Sequence, residues 1–169
     1  AKLYFVGSGS NLLVNDKNIS SFVITPAKAL KALNIDKNII IADSGVMLGK
    51  IVKEAITRRL TGLETLVGVP GTLGGALIMN AGAFGSEISN YLKSIDIMKL
   101  TGRIYTIKSE NLDFGYRYSS LKSDEFILLA RFELPETSSE IIQDKRIKAS
   151  QGRKNSQPLR FRSSGSIFK

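Results

Sequence analysis

The chain has 169 residues, a length suited to one domain, and its 43% apolar and 23% charged content can bury a core, which excludes wholesale disorder. It holds no Cys and no His, so disulfides, thiolate nucleophiles, thiolate metal sites, imidazole acid–base chemistry and a His-based triad are excluded. Lys and Arg number 24 against 15 Asp and Glu, a net charge of +9; every acid lies in 1–144, whereas 145–169 carry eight basic residues.

In chain order, Leu3 to Val6 is an apolar run ending at Gly7, which predicts a buried strand entering a turn. Phe22-Val23-Ile24 and Ile39-Ile40-Ile41-Ala42 predict two more strands. Asp43-Ser44-Gly45 then supplies a turn and a helix start. Apolar residues at 48, 51, 52, 55, 56 and 60 have helical spacing, with Gly62 as the expected end. Ile95–Leu100 and Ile104–Ile107, joined by Thr101-Gly102-Arg103, predict a hairpin. Asn111 to Ser120 is expected to be a loop, Phe126–Phe132 a strand stopped by Pro135, and Ser138 or Ser139 the cap of a helix running to about Gln151. The mixture is α+β. No apolar run approaches the roughly 20 residues needed to span a bilayer, and no secretory signal is evident. A cytoplasmic protein without membrane insertion is the expectation. The chain opens on a strand without Met and stops in mid-pattern at Lys169, so a piece of a longer protein is expected.

Three segments can carry chemistry. Gly7-Ser8-Gly9-Ser10-Asn11-Leu12 directly follows the first strand. Successive backbone N–H groups of such a turn can converge on a phosphate, with Ser8, Ser10 and Asn11 as further donors. It departs from the Rossmann fingerprint, which needs Gly where Leu12 stands. Taken alone it also reads as an ordinary Gly-rich turn. In residues 66–85, seven of twenty positions are Gly or Pro, from Gly68 and Pro70 through Gly71, Thr72, Gly74 and Gly75 to Asn80, Ala81, Gly82 and Gly85. Pro70 is placed to open a short helix. Each glycine costs up to about 1 kcal/mol inside an element, and close approach of the backbone to a ligand accounts for that cost. The third segment is split between Tyr116-Arg117 and the basic C-terminus, where Arg153 and Ser166 stand. Arg117 could clamp a carboxylate or phosphate, or be a surface Arg in a loop. Without His, Ser166 has no classical base, so a Ser-hydrolase reading fails. No metal site is expected.

Taken in order, Gly-Ser-Gly-Ser-Asn-Leu, Gly-Val-Pro-Gly-Thr-Leu-Gly-Gly-Ala with Met-Asn-Ala-Gly-Ala-Phe-Gly, Tyr-Arg-x-Ser and Gly-Ser-Ile-Phe-Lys closely resemble the UDP-N-acetylenolpyruvoylglucosamine reductase (MurB) family of peptidoglycan synthesis. The resemblance covers nearly the whole chain. It implies an FAD-binding domain of the vanillyl-alcohol-oxidase (PCMH) type over 1–135, incomplete at its N-terminus. Residues 136–169 would then be a linking helix and the start of a truncated substrate domain. Gly7 to Leu12 match the family's pyrophosphate turn, and Gly68 to Gly85 its second FAD-cradling segment. Tyr116 and Arg117 match its Tyr-Arg pair, whose Arg is catalytic, and Ser166 matches its proton-donating Ser. The family's third catalytic residue is a Glu with no match here, expected beyond residue 169. Phe84 stands where the family commonly has Tyr, and Arg162 where Pro often stands. The short spacing from Arg117 to Ser166 resembles the branch without an inserted capping loop.

The implied reaction uses NADPH as hydride donor, FAD as carrier and UDP-N-acetylglucosamine enolpyruvate as acceptor, giving UDP-N-acetylmuramate. Arg117 would stabilise developing carboxylate charge and Ser166 would donate the proton. Tyr116, Arg117, Arg153 and Ser166 are the expected substrate contacts, with Arg153 read as a phosphate or FAD contact. The isolated fragment is expected to be inactive and monomeric. Another FAD-linked oxidoreductase of the same fold is the alternative. A nucleic-acid module built on 145–169 is set aside, because no aromatic stacking platform accompanies the charge.

Overall fold

The computed structural model describes residues 2–157 and 160. Strands Lys2–Phe5 (β1) and Ser21–Ile24 (β2) form a parallel pair in the register Lys2 to Ser21 through Phe5 to Ile24. The Val6 N–H continues it by donating to the Ile24 carbonyl (2.9 Å). Leu33–Asp36 (β3) and Ile39–Asp43 (β4) form a hairpin turning at Lys37, whose φ is 51°. Helix Leu48–Thr57 (α1) follows, then Leu73–Ile78 (α2), the small hairpin of Gly82–Ala83 (β5) and Ser86–Glu87 (β6), and the long hairpin of Leu92–Lys99 (β7) and Ile104–Lys108 (β8). Phe114–Gly115 (β9) and Tyr118–Ser119 (β10) make a second minimal hairpin. Glu125–Glu133 (β11) and Ser139–Ser156 (α3) complete the described order.

The main sheet is five-stranded and antiparallel, ordered β3-β4-β11-β7-β8. Strand alternation sends Ile40 and Ala42 of β4, Ile95 and Ile97 of β7, and Ala130 and Phe132 of β11 into the core. Leu48, Ile51, Val52 and Ala55 form the apolar stripe of α1 facing them, and Leu73, Ala76 and Leu77 of α2 close the same core. The stacked rings of Phe5 and Phe126 (4.5 Å) join the β1–β2 pair to β11. On the partly exposed face of the sheet, Arg131 makes a two-pronged contact to Asp96 (2.8 and 2.9 Å).

Six expectations are corrected, the first that β1 is buried: its residues Lys2–Phe5 are exposed or half-buried. Strand β3 lies outside the predicted set, because Leu33-Asn34-Ile35-Asp36 is a bare four-residue alternation. Helix α1 stops at Thr57, before Gly62: Arg59 takes the left-handed conformation (φ 59°), and the Leu60 N–H closes back on the Ala55 carbonyl. Thr72 is the N-cap of α2, so Pro70 sits ahead of the helix and does not open it. The segment 111–120 contains the β9–β10 hairpin, where a loop was predicted. Helix α3 is capped by the Ser138 hydroxyl as expected, but it runs through Gly152 to Ser156. A Cβ at Gly152 would stand 2.6 Å from the Phe84 ring, so this glycine is a packing contact inside the helix. Among the described residues no helix is long and apolar enough to cross a membrane.

Candidate functional site

Three turns meet where β1 and β4 end and α2 begins. A Cβ on Gly7 would overlap the Thr72 hydroxyl, and one on Gly71 would stand 3.2 Å from the Ser10 hydroxyl. The first Gly-rich turn therefore lies directly against the start of the second Gly-rich segment. Residues 44–48 are stitched to 71–74 by three backbone bonds: Leu48 N–H to Gly71 O, Leu73 N–H to Val46 O, and Gly74 N–H to Ser44 O (2.8–2.9 Å). Gly74 permits this closeness, since a Cβ there would approach the Ser44 Cβ to 3.1 Å. Gly75 has only the Thr72 hydroxyl nearby, at 3.7 Å.

Ser44 and Thr72 are each 1% exposed, yet their hydroxyl oxygens have no hydrogen-bond partner. A buried polar group without a partner costs about 1–3 kcal/mol. Two such groups, in a cradle that added Cβ atoms would fill, fit a bound phosphate-bearing cofactor. Ser8, Gly9, Ser10, Asn11 and Leu12 form the exposed rim, held by the Leu12 N–H to Gly9 O bond (3.3 Å) and by Thr25, whose hydroxyl donates to the Gly7 carbonyl (3.0 Å).

The second half of the Gly-rich segment builds the other wall. Asn80 is fully buried, with φ at 41°. Its Nδ2 donates to Glu87 Oε2 (2.7 Å) and to the Gly115 carbonyl (3.0 Å), while its Oδ1 has no partner. That orphaned acceptor suits an N–H group such as the pyrimidine edge of a flavin carries. The Ala81 amide and carbonyl are spent on Ala76 and Ile88. Phe84 and Gly85, both at positive φ, form the tight turn between β5 and β6. Arg117 occupies the turn between β9 and β10 at φ 53°, lies over the Tyr116 ring (4.8 Å) and donates from Nη2 to the Gly82 carbonyl (3.1 Å). Tyr116 itself is 66% exposed. The Ser119 hydroxyl donates to the Ile78 carbonyl (2.9 Å), fastening this hairpin to α2.

Arg153 reaches the Phe84 turn of this wall from α3. Its Nη1 donates to the Val67 carbonyl, over the spot a Gly68 Cβ would fill, and its guanidinium covers the Phe84 ring (5.7 Å). Beside it a cavity of about 380 Å³ is lined by Gly62, Glu64, Phe84, Tyr91, Lys145 and Ala149 among others. Glu64 is buried there. Burial pushes its carboxyl up, but hydrogen bonds from Thr61, the backbone N–H groups of Glu64 and Gly62, and Lys145 outweigh this and hold it below its ordinary value. Among the described residues no cluster of three acidic side chains could hold a metal. Ser166, the expected proton donor, lies outside the described residues.

The structure thus gathers Gly7 to Leu12 with Gly71 and Thr72, and Asn80 and Gly82 with Arg117. Two residues escaped sequence reasoning. Ser44 belonged to a turn read only as a helix start, and a small polar residue pinned between a strand end and a glycine was the available signal. Glu87 carried no signal beyond its spacing from Asn80.

Residues 1–108 match the family described as the FAD binding domain. The chain belongs to this FAD-binding family. Within that family it is similar to UDP-N-acetylenolpyruvoylglucosamine reductases: 42% identical over 168 residues to that of Clostridium tetani, covering 98% of this chain and 54% of the relative. The reductase of Caldanaerobacter subterraneus subsp. tengcongensis is 38% identical over 167 residues, covering 98% and 55%. The chain spans about half the length of these curated relatives. The crystal structure of the MurB reductase from Thermus caldophilus superposes with a TM-score of 0.85 at 30% identity, covering 99% of this chain and 61% of that one. Cholesterol oxidase from Brevibacterium sterolicum shares the fold alone, at TM-score 0.53 and 13% identity over 80% of this chain and 30% of its own.

Proposed function

We propose that the protein is an FAD-dependent reductase converting UDP-N-acetylglucosamine enolpyruvate to UDP-N-acetylmuramate with NADPH, in peptidoglycan synthesis. It is a cytoplasmic monomer in this reading, with 136–169 linking the FAD domain to a substrate domain. The observation that carries it is Arg117 bound to the Gly82 carbonyl: a cation fixed on the cofactor cradle itself by a neutral acceptor. Arg117 makes no ion pair among the described residues, so its charge is not cancelled.

Ser44, Thr72 and the turn Gly7 to Leu12 would hold the pyrophosphate of FAD, and Asn80 would offer its free Oδ1 to the flavin ring. FAD held there would supply the redox chemistry, a hydride from NADPH for the methylene carbon of the enolpyruvyl group. Addition there breaks the C=C π bond and drives negative charge through the adjacent carbon onto the carboxylate. Arg117 stabilises that charge, worth most in a site shielded from water. Ser166 then protonates the adjacent carbon, completing a net addition of hydride and proton across the double bond. Tyr116 and Arg153 contribute to substrate binding.

The test uses protein expressed from the complete reading frame, followed anaerobically by its flavin absorption. Bleaching by NADPH and recovery on adding the enolpyruvyl sugar nucleotide are the expected results. A protein that takes up no FAD overturns the reading. One that bleaches but is not reoxidised by this substrate keeps the flavoenzyme and discards the reaction, in favour of another FAD-linked oxidoreductase.

A further inference from the structure

Glu87 lies on β6, across the small hairpin from Gly82, and these two residues are strand partners. Its Oε2 accepts from Asn80 Nδ2, and the same amide nitrogen donates to the Gly115 carbonyl. Gly115 pairs with Tyr118 to form the hairpin whose turn is Tyr116-Arg117. Arg117 closes the circuit by donating to the Gly82 carbonyl. The ring of contacts runs Glu87, Asn80, Gly115, Arg117, Gly82 and back to Glu87. A Cβ at Gly82 would stand 2.9 Å from Glu87 Cγ and 3.6 Å from Arg117 Nη1, so Glu87 and the guanidinium flank one glycine.

The energetics single out Glu87 within this ring. β9 and β10 have two residues each, too few to fix a hairpin alone. Asn80 is held at positive φ with its Oδ1 unpaired, so its amide orientation depends on the two acceptors facing Nδ2. One of these, the Gly115 carbonyl, belongs to the hairpin being positioned. The other is Glu87, anchored on a different hairpin. Without Glu87 the amide is free to turn and the Gly115 bond loses its direction.

We propose that Glu87 is a positioning residue for Arg117, acting as a hydrogen-bond acceptor through the Asn80 amide. The proposal rests on the reading of Arg117 as the group that stabilises charge in the transferred substrate. Glu87 touches neither cofactor nor substrate in it. What it contributes is the aim of the cation, and misplacement by about 1 Å can cost up to about a hundredfold in rate.

The test compares Glu87→Ala and Glu87→Gln with the parent, again from the complete reading frame. Hydrogen exchange over 114–119, measured without flavin or substrate, should accelerate about tenfold or more in Glu87→Ala, because the backbone bonds there open more often. In Glu87→Gln, which retains a carbonyl oxygen for Asn80, exchange should stay near the parent. Because Asn80 also offers its Oδ1 to the flavin, Glu87→Ala should bind FAD more weakly, so both variants are saturated with FAD before bleaching and reoxidation are compared with the parent. Reoxidation by saturating enolpyruvyl sugar nucleotide should slow about tenfold or more in Glu87→Ala and be rescued in Glu87→Gln. Unchanged exchange or unchanged reoxidation in Glu87→Ala overturns the proposal, as does a Glu87→Gln no better than Glu87→Ala. If the parent itself is not reoxidised by the sugar nucleotide, the reductase reading fails. The exchange result then judges by itself whether Glu87 orders the hairpin.

Discussion

Ser44 and Thr72 hold hydroxyls that the folded chain buries and leaves without partners. A hydroxyl that cofactor phosphate needs, but the apoprotein does not, leaves a distinctive signature when removed. Ser44→Ala should weaken FAD affinity about three- to tenfold, the worth of one ordinary hydrogen bond, while leaving the melting temperature of the apoprotein unchanged or slightly raised. Titration of apoprotein with FAD, alongside thermal melts without it, checks both halves. Arg117 gives the complementary signature. Arg117→Ala should leave FAD content and bleaching by NADPH in place and cut the rate of reoxidation by substrate at least about a hundredfold, as loss of a preorganised charge donor does. Arg117→Lys should not restore it, because an ammonium lacks the planar fork that holds Gly82 and a carboxylate together. Stopped-flow absorbance separates the two half-reactions.

Within the elements, intrinsic preference and packing pull in opposite directions at Gly152. Helix propensity favours Gly→Ala by about 1 kcal/mol in a helix interior. In α3 the added Cβ would press into the Phe84 ring at 2.6 Å, and that ring also carries the guanidinium of Arg153. Gly152→Ala should therefore destabilise by about 1–3 kcal/mol, the usual range for overpacking, and urea unfolding reads it. A melting temperature above the parent would show that the helix slides to make room. Gly7 presents the same conflict in a turn, with the Thr72 hydroxyl in the way of any side chain. The expected end of α3 near Gln151 missed this, because periodicity reports which side of a helix is apolar and nothing about which residue meets a ring across space.

Across the whole molecule, two carboxylates tie distant segments together. Glu64 joins the chain after α1 to Lys145 of α3 (3.2 Å), and Asp96 of β7 grips Arg131 of β11. Hydrogen bonds from Arg131, against the upward push of burial and with help from Thr106, hold Asp96 below its ordinary value; Glu64 is lowered as well. A carboxyl lowered by folding contributes stability that is present above its unfolded value, 4.5 for Glu64, and lost as pH falls through the folded value. Melting temperature should therefore drop on acidification below pH 4.5, and Glu64→Gln should be less stable than the parent at pH 7 but lose less on acidification. Melts at a series of pH values check the sign. Parallel melting curves for parent and variant would mean that Glu64 does not couple α3 to the domain.

The sequence by itself determined the α+β class, the strands Leu3 to Val6, Ile39 to Ala42 and Phe126 to Phe132, and the two Gly-rich segments. Each is local: apolar alternation, turn chemistry and glycine density are written along the chain. The order of its motifs also pointed to the cofactor family. Only the tertiary structure decided that Gly7 packs on Thr72, that Ser44 lies buried against Gly74 with its hydroxyl unpartnered, and that Asn80 and Glu87 hold the Arg117 hairpin. Those contacts join residues up to 65 positions apart, Gly7 to Thr72. Sheet register and close backbone approach bring them together, and both arise from packing the whole chain at once.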